Sequence, residues 1–435
     1  MRIAFIMYQG SMWSGGQGVY LRYVTGELAR MGHEVHVISG RPYPDLEEGV
    51  IHHRLKTFSF WAFLEGRDEL AYHDNVWEFF HPLNFWEFAS TRVSFASLLN
   101  TFSFRAYRKL AELERETGPF DLVHDNQTLG YGVALMKAVR PERPVVANIH
   151  HPLQIDRANS IREARTLGRV ISRLLWYPDR MQPWVALRLD RIITGSENSR
   201  DSVSEVMGIP KDRIVAIYDG VDTDVFRPLP DVEKEPGLIV FAGNAEDRNK
   251  GARYLLDALA LLQAETDFRL VMVGRKEKDL SWVPGEVWRL GLRRMVEYSG
   301  FLSTEDLVRL LNRAHLLVSP SLYEGFGLPA CEAGACGTAV VATTAGALPE
   351  VVEDGVTGLL VPPGDAEALA RAIKTLLDDF PRARAMGEAG RTRVERLFTW
   401  RECARKTEAL YHELVSGCAG PKRTAAARRR SPPTS

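Results

Sequence analysis

The chain repeats one arrangement several times: a short apolar segment, a glycine-containing loop and a segment with helical spacing. The first example has an apolar segment at residues 3–8, the loop Gly15-Gly16-Gln17-Gly18 and a segment at 19–31 with apolar residues three and four positions apart. A second apolar segment follows at residues 34–38. Strand, helix and strand in this order form a βαβ unit, so the pattern predicts a parallel sheet.

The same arrangement continues along the first half and restarts in the second. Further predicted strands lie at residues 122–123, 144–149, 191–194, 237–242, 268–273, 297–300, 316–319 and 338–342. A predicted helix at 251–262 directly follows the first strand of the second series. Two such series predict an α/β fold with two doubly wound Rossmann-like domains that face each other across a deep cleft. Ligands of such sheets bind outside the carboxyl ends of the strands.

The domain boundaries follow from changes in composition. A linker rich in proline and acidic residues at 228–236 separates a predicted N-terminal domain, 1–227, from a predicted C-terminal domain, 237–399. We expect a helix at 400–416 to cross back to the first domain. The tail at 417–435 is basic and rich in Ala, Pro, Ser and Thr, which predicts disorder.

Composition excludes several classes of protein. The 435 residues are 45% hydrophobic and 26% charged, as in soluble two-domain enzymes, and the net charge of −1 gives no field that favours nucleic acid. The four cysteines are too few for a disulfide framework and show no metal-ligand spacing. No apolar run reaches the roughly 18 residues of a membrane span, and the N-terminus resembles a buried strand more than a signal peptide. We expect a protein free in the cytoplasm or peripheral at the inner face of the cell membrane.

The run Glu324-Gly-Phe-Gly-Leu-Pro-Ala-Cys-Glu332 is the most informative motif. Its first carboxylate follows an apolar strand, and its second falls on the first turn of the predicted helix. Gly325 and Gly327 allow close approach of a ligand to the backbone, and a helix N-terminus suits a phosphate. Carboxylates accept hydrogen bonds from hydroxyl groups. The motif therefore predicts a site for a sugar joined to a phosphate. Two solvated glutamates on a continuous helix are the alternative, which the Gly-Phe-Gly-Leu-Pro sequence disfavours.

A second loop with charged residues lies between the strand at 237–242 and the helix at 251–262. It contains Gly243, Asn244, Arg248 and Lys250. Cations at a helix N-terminus are unfavourable unless they share an anion, so Lys250 and Arg248 are candidates to clamp a diphosphate. Two solvated cations are the alternative. The G-x-G-x-x-G dinucleotide fingerprint is absent after the first strand, which disfavours a nicotinamide enzyme.

Five segments together resemble the retaining, nucleotide-sugar-dependent glycosyltransferases of family four, which have the GT-B fold. The segments are Gly15-Gly16 with residues 32–35, the region of His150, residues 219–228, residues 243–251 and residues 324–363. The resemblance covers nearly the whole chain except residues 50–105 and the tail.

The resemblance implies a role for each matching position. Glu324 would contact hydroxyls of the transferred sugar, Lys250 would neutralise the leaving diphosphate, and His150 would lie near the sugar, with its neighbour His151 as a second candidate. The catalytic residues that the resemblance implies are therefore Glu324, His150 and Lys250. The family usually has an arginine at the position of Asn244, and Arg248 is the candidate to replace its charge.

The resemblance also implies the remaining donor contacts. Glu332 would hold the ribose, and Arg275 and Phe301 would lie near the base. Backbone contacts to sugar or phosphate would come from the following loop residues: Gly15, Gly16, Gly243, Gly325, Phe326, Gly327 and Leu328. The family mechanism implies front-face attack without a metal or cofactor, with the nucleotide sugar as substrate. Asp222-Thr-Asp224 resembles a metal-binding D-x-D motif, but it belongs to the interdomain pattern.

The acceptor side is the least family-like part of the chain. Residues 58–104 are rich in aromatic side chains, which indicates core packing, a stacking surface for an acceptor or a membrane-facing patch. The series Arg162, Arg165, Arg169 and Arg173 predicts one basic face of an amphipathic helix, either solvated or bound to an anionic acceptor or lipid.

The sequence thus predicts a glycosyltransferase that moves a sugar from a nucleoside-diphosphate sugar to a glycan, lipid-linked or other hydroxyl acceptor, with an anionic membrane surface as a candidate partner. The alternatives are a nucleotide-sugar epimerase or hydrolase on the same fold and a non-catalytic nucleotide-sugar-binding protein.

Overall fold

The computed structural model describes residues 1–10, 16–57, 77, 80–162, 166–177 and 179–418. The chain divides into two compact units. The first contains Met1–Thr194, Arg200–Ile217 and the chain from Ala404 onward, and the second contains Gly195–Ser199 and Tyr218–Cys403.

The first unit contains a parallel sheet with seven strands among the described residues. The strands are β1 (Arg2–Met7), β2 (Glu34–Ser39), β3 (Ile51–Arg54), β4 (Leu122–Asn126), β5 (Val145–Asn148), β6 (Arg191–Thr194) and β7 (Ile214–Ala216). Their spatial order is β3-β2-β1-β4-β5-β6-β7. In the register of the central strands, Ile3 lies beside Val35 on one side and Leu122 on the other. Because helices cover a doubly wound sheet on both faces, β1 and β4 are almost entirely buried.

The helices of the first unit connect these strands. They are α1 (Gln17–Arg30), α2 (Pro82–Thr91), α3 (Phe95–Thr117), α4 (Tyr131–Val139), α5 (Leu153–Arg162), α6 (Leu167–Trp176), α7 (Met181–Ala186) and α8 (Glu197–Met207), whose first residues belong to the second unit.

The second unit has a six-stranded parallel sheet in the described chain. Its strands are β8 (Leu238–Ala242), β9 (Arg269–Val273), β10 (Val296–Gly300), β11 (Leu316–Ser319), β12 (Ala339–Thr343) and β13 (Gly358–Val361). The spatial order is β10-β9-β8-β11-β12-β13. This order corresponds to 3-2-1-4-5-6 of a dinucleotide-binding sheet, and the first sheet has the same order with one added strand.

The helices of the second unit follow the strands in alternation. They are α9 (Ala252–Leu262), α10 (Val283–Arg289), α11 (Thr304–Arg313), α12 (Leu328–Ala335), α13 (Leu348–Val351), α14 (Ala366–Asp378), α15 (Phe380–Leu397) and α16 (Trp400–Cys418), which continues into the first unit.

The predicted fold class of two doubly wound α/β domains is confirmed, and every predicted strand is present. Three strands, β3, β7 and β13, were not predicted. They lie at sheet edges, where β3 has the sequence Ile-His-His-Arg and is partly exposed, and β7 has three residues. An edge strand buries less surface, which explains the weak apolar pattern of β3, whereas β7 (Ile-Val-Ala) and β13 (Gly-Leu-Leu-Val) are apolar but only three and four residues long.

The segment expected to be a linker, 228–236, packs on the second unit. The Nζ of Lys234 donates to the carbonyls of Asn312 and Ala314 and to the Thr338 hydroxyl, at 2.8–3.2 Å. The backbone N–H of Leu229 donates to the Asn312 side chain at 2.7 Å. These bonds hold the segment to the second unit, which the chain enters at Tyr218, before the segment at which composition changes.

The C-terminal helix α16 begins at Trp400 as expected and extends to Cys418. From Ala404 it belongs to the first unit, where Glu408 accepts a hydrogen bond from His33 at 2.8 Å and the Tyr411 hydroxyl contacts buried His124. Residues 419–435, most of the tail expected to be disordered, lie outside the described residues.

The basic segment does not form the single helix that was predicted. Arg162 ends α5, whereas Arg169 and Arg173 lie on α6, a separate helix. The Thr166 side chain caps α6 by accepting a hydrogen bond from the Arg169 N–H. A helix that starts at this cap cannot continue the face that ends at Arg162. Arg165 lies outside the described residues.

Candidate active site

The two most informative loops of the second unit leave neighbouring strands. β8 and β11 pair with each other at the centre of the sheet, and the order of strands runs outward from them in opposite directions. The loop with Lys250 follows β8, and the loop with Glu324 follows β11. Their junction is therefore the topological switch point, where ligands of such sheets bind.

Lys250 and Glu324 form an ion pair at this point. The Lys250 Nζ lies 2.8 Å from the Glu324 Oε2, and the Ser321 hydroxyl donates to the same oxygen at 3.3 Å. The loops also bond directly, because the Leu322 N–H donates to the Asn249 carbonyl at 2.7 Å. Both side chains are partly exposed, so a cation and a carboxylate remain accessible side by side.

Two glycines allow this close approach of backbones. Gly251, at the start of α9, has φ +68°, and a Cβ there would lie 1.9 Å from the Pro320 carbonyl oxygen. Gly346 has φ +59°, and a Cβ there would lie 2.0 Å from the Glu324 carbonyl oxygen. Neither position has room for a larger residue, which explains the glycines on both sides of the pair.

The loop 324–328 enters α12 through Gly327, whose φ of +106° favours glycine. The Phe326 side chain is 5% exposed and packs in the core beside the rings of Tyr218 and Phe398. A ligand contact by Phe326 would therefore involve its backbone. Leu328 is the first helical residue, where backbone N–H groups lack helical partners.

Ser196 and Ser199 fix this loop, although neither was predicted as a site residue. Their hydroxyls donate to the Gly325 carbonyl at 2.8 and 3.0 Å. In a trans peptide the C=O and the next N–H point in opposite directions, so these bonds aim the Phe326 N–H away from the serines. The Glu350 carboxylate accepts the N–H groups at 197 and 198, which holds the serine segment in place. The contacts span more than 120 residues of sequence, which no local pattern reveals.

Glu332 is the fifth residue of α12 and so lies in its second turn, one turn later than predicted. Burial raises the pKa of Glu332 to about 8. A carboxyl group that is protonated at neutral pH can donate a hydrogen bond as well as accept one, which suits a diol such as a ribose.

Three strands of the second sheet end in glycines with positive φ. These are Gly243 after β8, Gly274 after β9 and Gly300 at the end of β10. The Gly274 N–H donates to the Gly300 carbonyl, and a Cβ on Gly274 would lie 2.7 Å from the Gly243 oxygen. The exposed residues Arg275 and Phe301 each follow one of these glycines.

Asn244 and Arg248 are exposed in the loop after β8. The Asn244 side chain accepts the Glu246 N–H at 3.2 Å, so it stabilises the turn of the loop itself. Arg248 begins the short helical turn Arg248–Lys250, which Asp247 caps. The two cations thus share one rigid turn.

The first unit has a matching polar cluster at its own switch point, between β1 and β4. Gly16, with φ +70°, caps α1, while Gly15 lies outside the described residues. Gln127 follows β4 with an unusual φ of +58°. Its side-chain oxygen accepts the His150 N–H at 2.7 Å and the Gln17 amide at 3.2 Å, and its amide nitrogen donates to the His151 carbonyl at 2.5 Å.

His150 follows β5 and joins this cluster. Its Nε2 lies 2.7 Å from Asn126 Oδ1, and its ring packs edge-on against Tyr20 at 5.0 Å between centroids. Burial lowers the pKa of His150 to about 4, so the imidazole is neutral at physiological pH. Asn126 and Gln127 were not predicted, although the polar run at the end of β4 could have indicated them.

The described basic residues Arg162, Arg169 and Arg173 are all exposed. On the face of α6 opposite its two arginines lies an exposed apolar stripe formed by Leu167, Ile171, Leu174 and Leu175. None of the described helices is long and apolar enough to cross a bilayer. Within the described ranges no three His, Cys, Asp or Glu side chains cluster as metal ligands, and Asp222 caps its own turn through the N–H groups of Asp224 and Val225.

Comparison with protein families matches both halves of the chain. Residues 15–220 match the model of the glycosyl transferase 4-like domain, and residues 222–393 match that of the glycosyl transferases group 1.

Individual relatives agree with these matches. The chain is 36% identical over 420 residues to the MMP α-(1→4)-mannosyltransferase of Mycolicibacterium hassiacum, which covers 96% of this chain and 99% of that protein. It is 26% identical to a glycogen synthase of Mycobacterium tuberculosis, over 91% of each chain. The structure resembles sucrose-phosphate synthase from Thermosynechococcus elongatus with a TM-score of 0.71 and 25% identity, over 96% of this chain and 100% of that chain. An Anabaena HepE structure with UDP has the same fold, with a TM-score of 0.67, 20% identity and coverage of 95% and 100%. The chain therefore belongs to the family-four glycosyltransferases with the GT-B fold.

Proposed function

We propose that this glycosyltransferase transfers a hexose from a nucleoside-diphosphate sugar to a hydroxyl acceptor with retention of anomeric configuration and without a metal ion or cofactor. The observation that carries the proposal is the Lys250–Glu324 pair at the switch point of the second sheet. It combines a cation for a departing diphosphate with a carboxylate for sugar hydroxyls.

The proposed chemistry assigns a task to each group. Departure of the nucleoside diphosphate builds negative charge, which the Lys250 ammonium group and the N–H groups at the start of α12 stabilise. Glu324 accepts hydrogen bonds from hydroxyls of the transferred sugar, and Glu332 binds the ribose. The departing phosphate takes the acceptor proton, so the front-face reaction requires no protein nucleophile.

The relatives suggest which sugar to test first. The name of the M. hassiacum relative gives mannose as its transferred sugar and an α product. An α product from an α-linked donor is the outcome of retention. Solved structures of HepE contain UDP and glucose or UDP-glucose, which makes glucose the second candidate.

Thermal stabilisation by a panel of nucleoside diphosphates and their mannose and glucose conjugates tests the donor site. Ligand that binds only the folded state raises the melting temperature. We expect one nucleotide series to stabilise the wild type, with loss of the effect in Lys250→Ala and Glu332→Ala. The absence of stabilisation by every member would favour a non-catalytic protein.

Product analysis separates transfer from the rival reactions. With the stabilising nucleotide sugar and a set of hydroxyl acceptors, we expect a glycoside with the anomeric configuration of the donor. Free sugar or an epimerised nucleotide formed equally well without acceptor would support a hydrolase or an epimerase instead.

We further propose that α6 contacts an anionic membrane surface where a lipid-linked acceptor would reside. The helix has an apolar stripe, with Leu167 76% exposed, and carries exposed Arg169 and Arg173 on the opposite face. This combination suits an amphipathic helix that lies in the membrane interface. We expect the full-length protein to sediment with vesicles that contain phosphatidylglycerol and not with pure phosphatidylcholine.

The variant Arg169→Ala/Arg173→Ala should sediment less at low salt. The control Arg371→Ala/Arg384→Ala removes two exposed arginines of the second unit and should behave as the wild type. Equal recovery of all three proteins in the supernatant would contradict the membrane proposal and leave a water-soluble acceptor.

A further inference from the structure

The hydrogen-bond environment of Asn126 fixes the orientation of its amide group. The Nδ2 atom lies 3.2 Å from the Gln17 carbonyl oxygen and 3.5 Å from the Met7 sulfur. Both of these atoms can only accept hydrogen bonds. The two amide hydrogens therefore point to the Gln17 oxygen and the Met7 sulfur, and the Oδ1 atom must be the one that faces His150.

This orientation in turn fixes the protonation of the histidine ring. The His150 Nε2 lies 2.7 Å from Asn126 Oδ1, which is an acceptor, so Nε2 must carry a hydrogen. A neutral imidazole has one N–H, and burial keeps the ring neutral at physiological pH. The Nδ1 atom therefore carries a lone pair, and among the described residues it has no hydrogen-bond partner.

We propose that Asn126 is a positioning residue that holds His150 as the Nε2–H tautomer, so that Nδ1 accepts a hydrogen bond from a hydroxyl group of a sugar substrate. This inference rests on the proposed glycosyl transfer. The hydroxyl belongs either to the transferred sugar or to a glycan acceptor, and both sources present the same chemistry to the nitrogen.

The proposed tautomer has a consequence for substrate selection. A lone pair accepts from a hydroxyl but repels the lone pairs of a carboxylate, so the site favours a sugar hydroxyl over a carboxylate at this position. A sugar without the contacting hydroxyl would leave the Nδ1 atom unpaired, which costs binding energy. The opposite tautomer would present an N–H and reverse this preference.

The tautomer can be measured directly on the full chain labelled with ¹⁵N-histidine, without any substrate. Long-range ¹H–¹⁵N spectra distinguish the protonated from the unprotonated ring nitrogen, and the His150→Gln variant assigns the signals. We expect Nε2 to be protonated in the wild type. An Nδ1-protonated ring in the wild type would overturn the proposal.

Variants of Asn126 test whether this residue determines the tautomer of His150. In Asn126→Leu the preference for a protonated Nε2 should be lost. Asn126→Asp keeps an acceptor opposite Nε2, so Nε2 should stay protonated in this variant even if the leucine variant folds poorly. Asn148→Leu is the matched control, because Asn148 is also buried and is the register partner of Asn126 on β5. An unchanged Nε2–H ring in a folded Asn126→Leu protein would overturn the role of Asn126.

Kinetics identify the substrate that supplies the hydroxyl. In Asn126→Leu, KM for one sugar substrate should rise about tenfold, the effect of losing one hydrogen bond. A rise for the nucleotide sugar assigns the hydroxyl to the donor, and a rise for the glycan assigns it to the acceptor. Unchanged KM values with a lower melting temperature would show a merely structural role. Failure of the wild type to transfer any sugar would contradict the proposed function, and the spectra would still decide the tautomer.

Discussion

The ion pair between Lys250 and Glu324 shows what individual residues reveal before a structure is known. Each was predicted as a site residue because it lies in a loop directly after an apolar strand. Their mutual contact was not predicted, since 74 residues separate them. Ser196 and Ser199 were missed because their function depends on a carbonyl far along the chain. The sequence predicts the strand, helix or loop on which a residue lies. Its contact with a residue far along the chain depends on how the whole sheet packs.

Replacement of Lys250 by alanine should reduce kcat by about 10²- to 10³-fold, because one preorganised positive charge is removed from the site of the departing diphosphate. The measurement is steady-state transfer with the stabilising nucleotide sugar. Lys374→Ala, which removes a partly exposed lysine paired with Asp378 on α14, serves as the control and should retain wild-type kcat. Equal kcat in both variants would remove Lys250 from the proposed mechanism.

Asp125 predicts a dependence of stability on pH. The side chain is fully buried at the end of β4, accepts the Leu129 N–H at 2.7 Å, and burial raises its pKa to about 7. The unfolded state ionises at its ordinary pKa of 3.8 while the folded state stays protonated, so the folded state binds more protons in between. The stability contributed by this group therefore falls as pH rises from about 4 to 7.

The variant Asp125→Asn cannot titrate, and its melting temperature relative to the wild type should rise by several degrees over this pH range. Melting curves of both proteins from pH 4 to 8 provide the measurement. If the difference in melting temperature between the variant and the wild type stays constant with pH, the Asp125 carboxyl group is ionised over the whole range.

At the scale of elements, strands were predicted more accurately than helix boundaries. Buried strands such as β8 and β11 have continuous apolar sequences, and their ends were predicted to within a residue or so. The break between α5 and α6 was missed because the arginine spacing continues across it. The cap at Thr166 is a single hydrogen bond, which the spacing of charges does not reveal.

The start of α9 should be unusually sensitive to substitution. Gly251→Ala adds a methyl group 1.9 Å from the Pro320 oxygen, so the loop that holds Lys250 must move and activity should fall by at least tenfold. Gly208 is the matched control, with φ +67° against +68°, because a Cβ there meets nothing within 4 Å. Gly208→Ala should cost about 1 kcal/mol of stability and little activity. Similar kcat values in the two variants would refute the steric argument.

At the scale of the whole molecule, the repeated strand–helix pattern predicted two doubly wound domains with parallel sheets, and both sheets are parallel. The exchange of chain between the units was harder to predict. Residues 195–199 belong to the second unit although the surrounding chain belongs to the first, and the segment 218–236 joins the second unit through side-chain bonds of Asn312 and Lys234. A change in composition indicates where a linker can lie, but it does not indicate which sheet that segment packs against.

The division into units predicts where a nucleotide protects the backbone. With a stabilising nucleoside diphosphate added to the full chain, hydrogen exchange should slow at residues 243–251 and 321–332, since binding stabilises the loops that contact the ligand. Peptides that cover α3 should exchange at unchanged rates. Protection confined to residues 122–151 would place the nucleotide in the first unit instead.

The glycines at the ends of β8, β9 and β10 have a consequence for how nucleotide preference could change during evolution. Gly243, Gly274 and Gly300 all have positive φ, so replacing any of them strains the backbone before it affects a ligand. The family resemblance implies that Arg275 and Phe301 lie near the base. We therefore expect selection for another base to act at these two exposed positions, where substitution leaves the sheet intact. Homologues that differ in nucleotide should keep the glycines and diverge at these two neighbours.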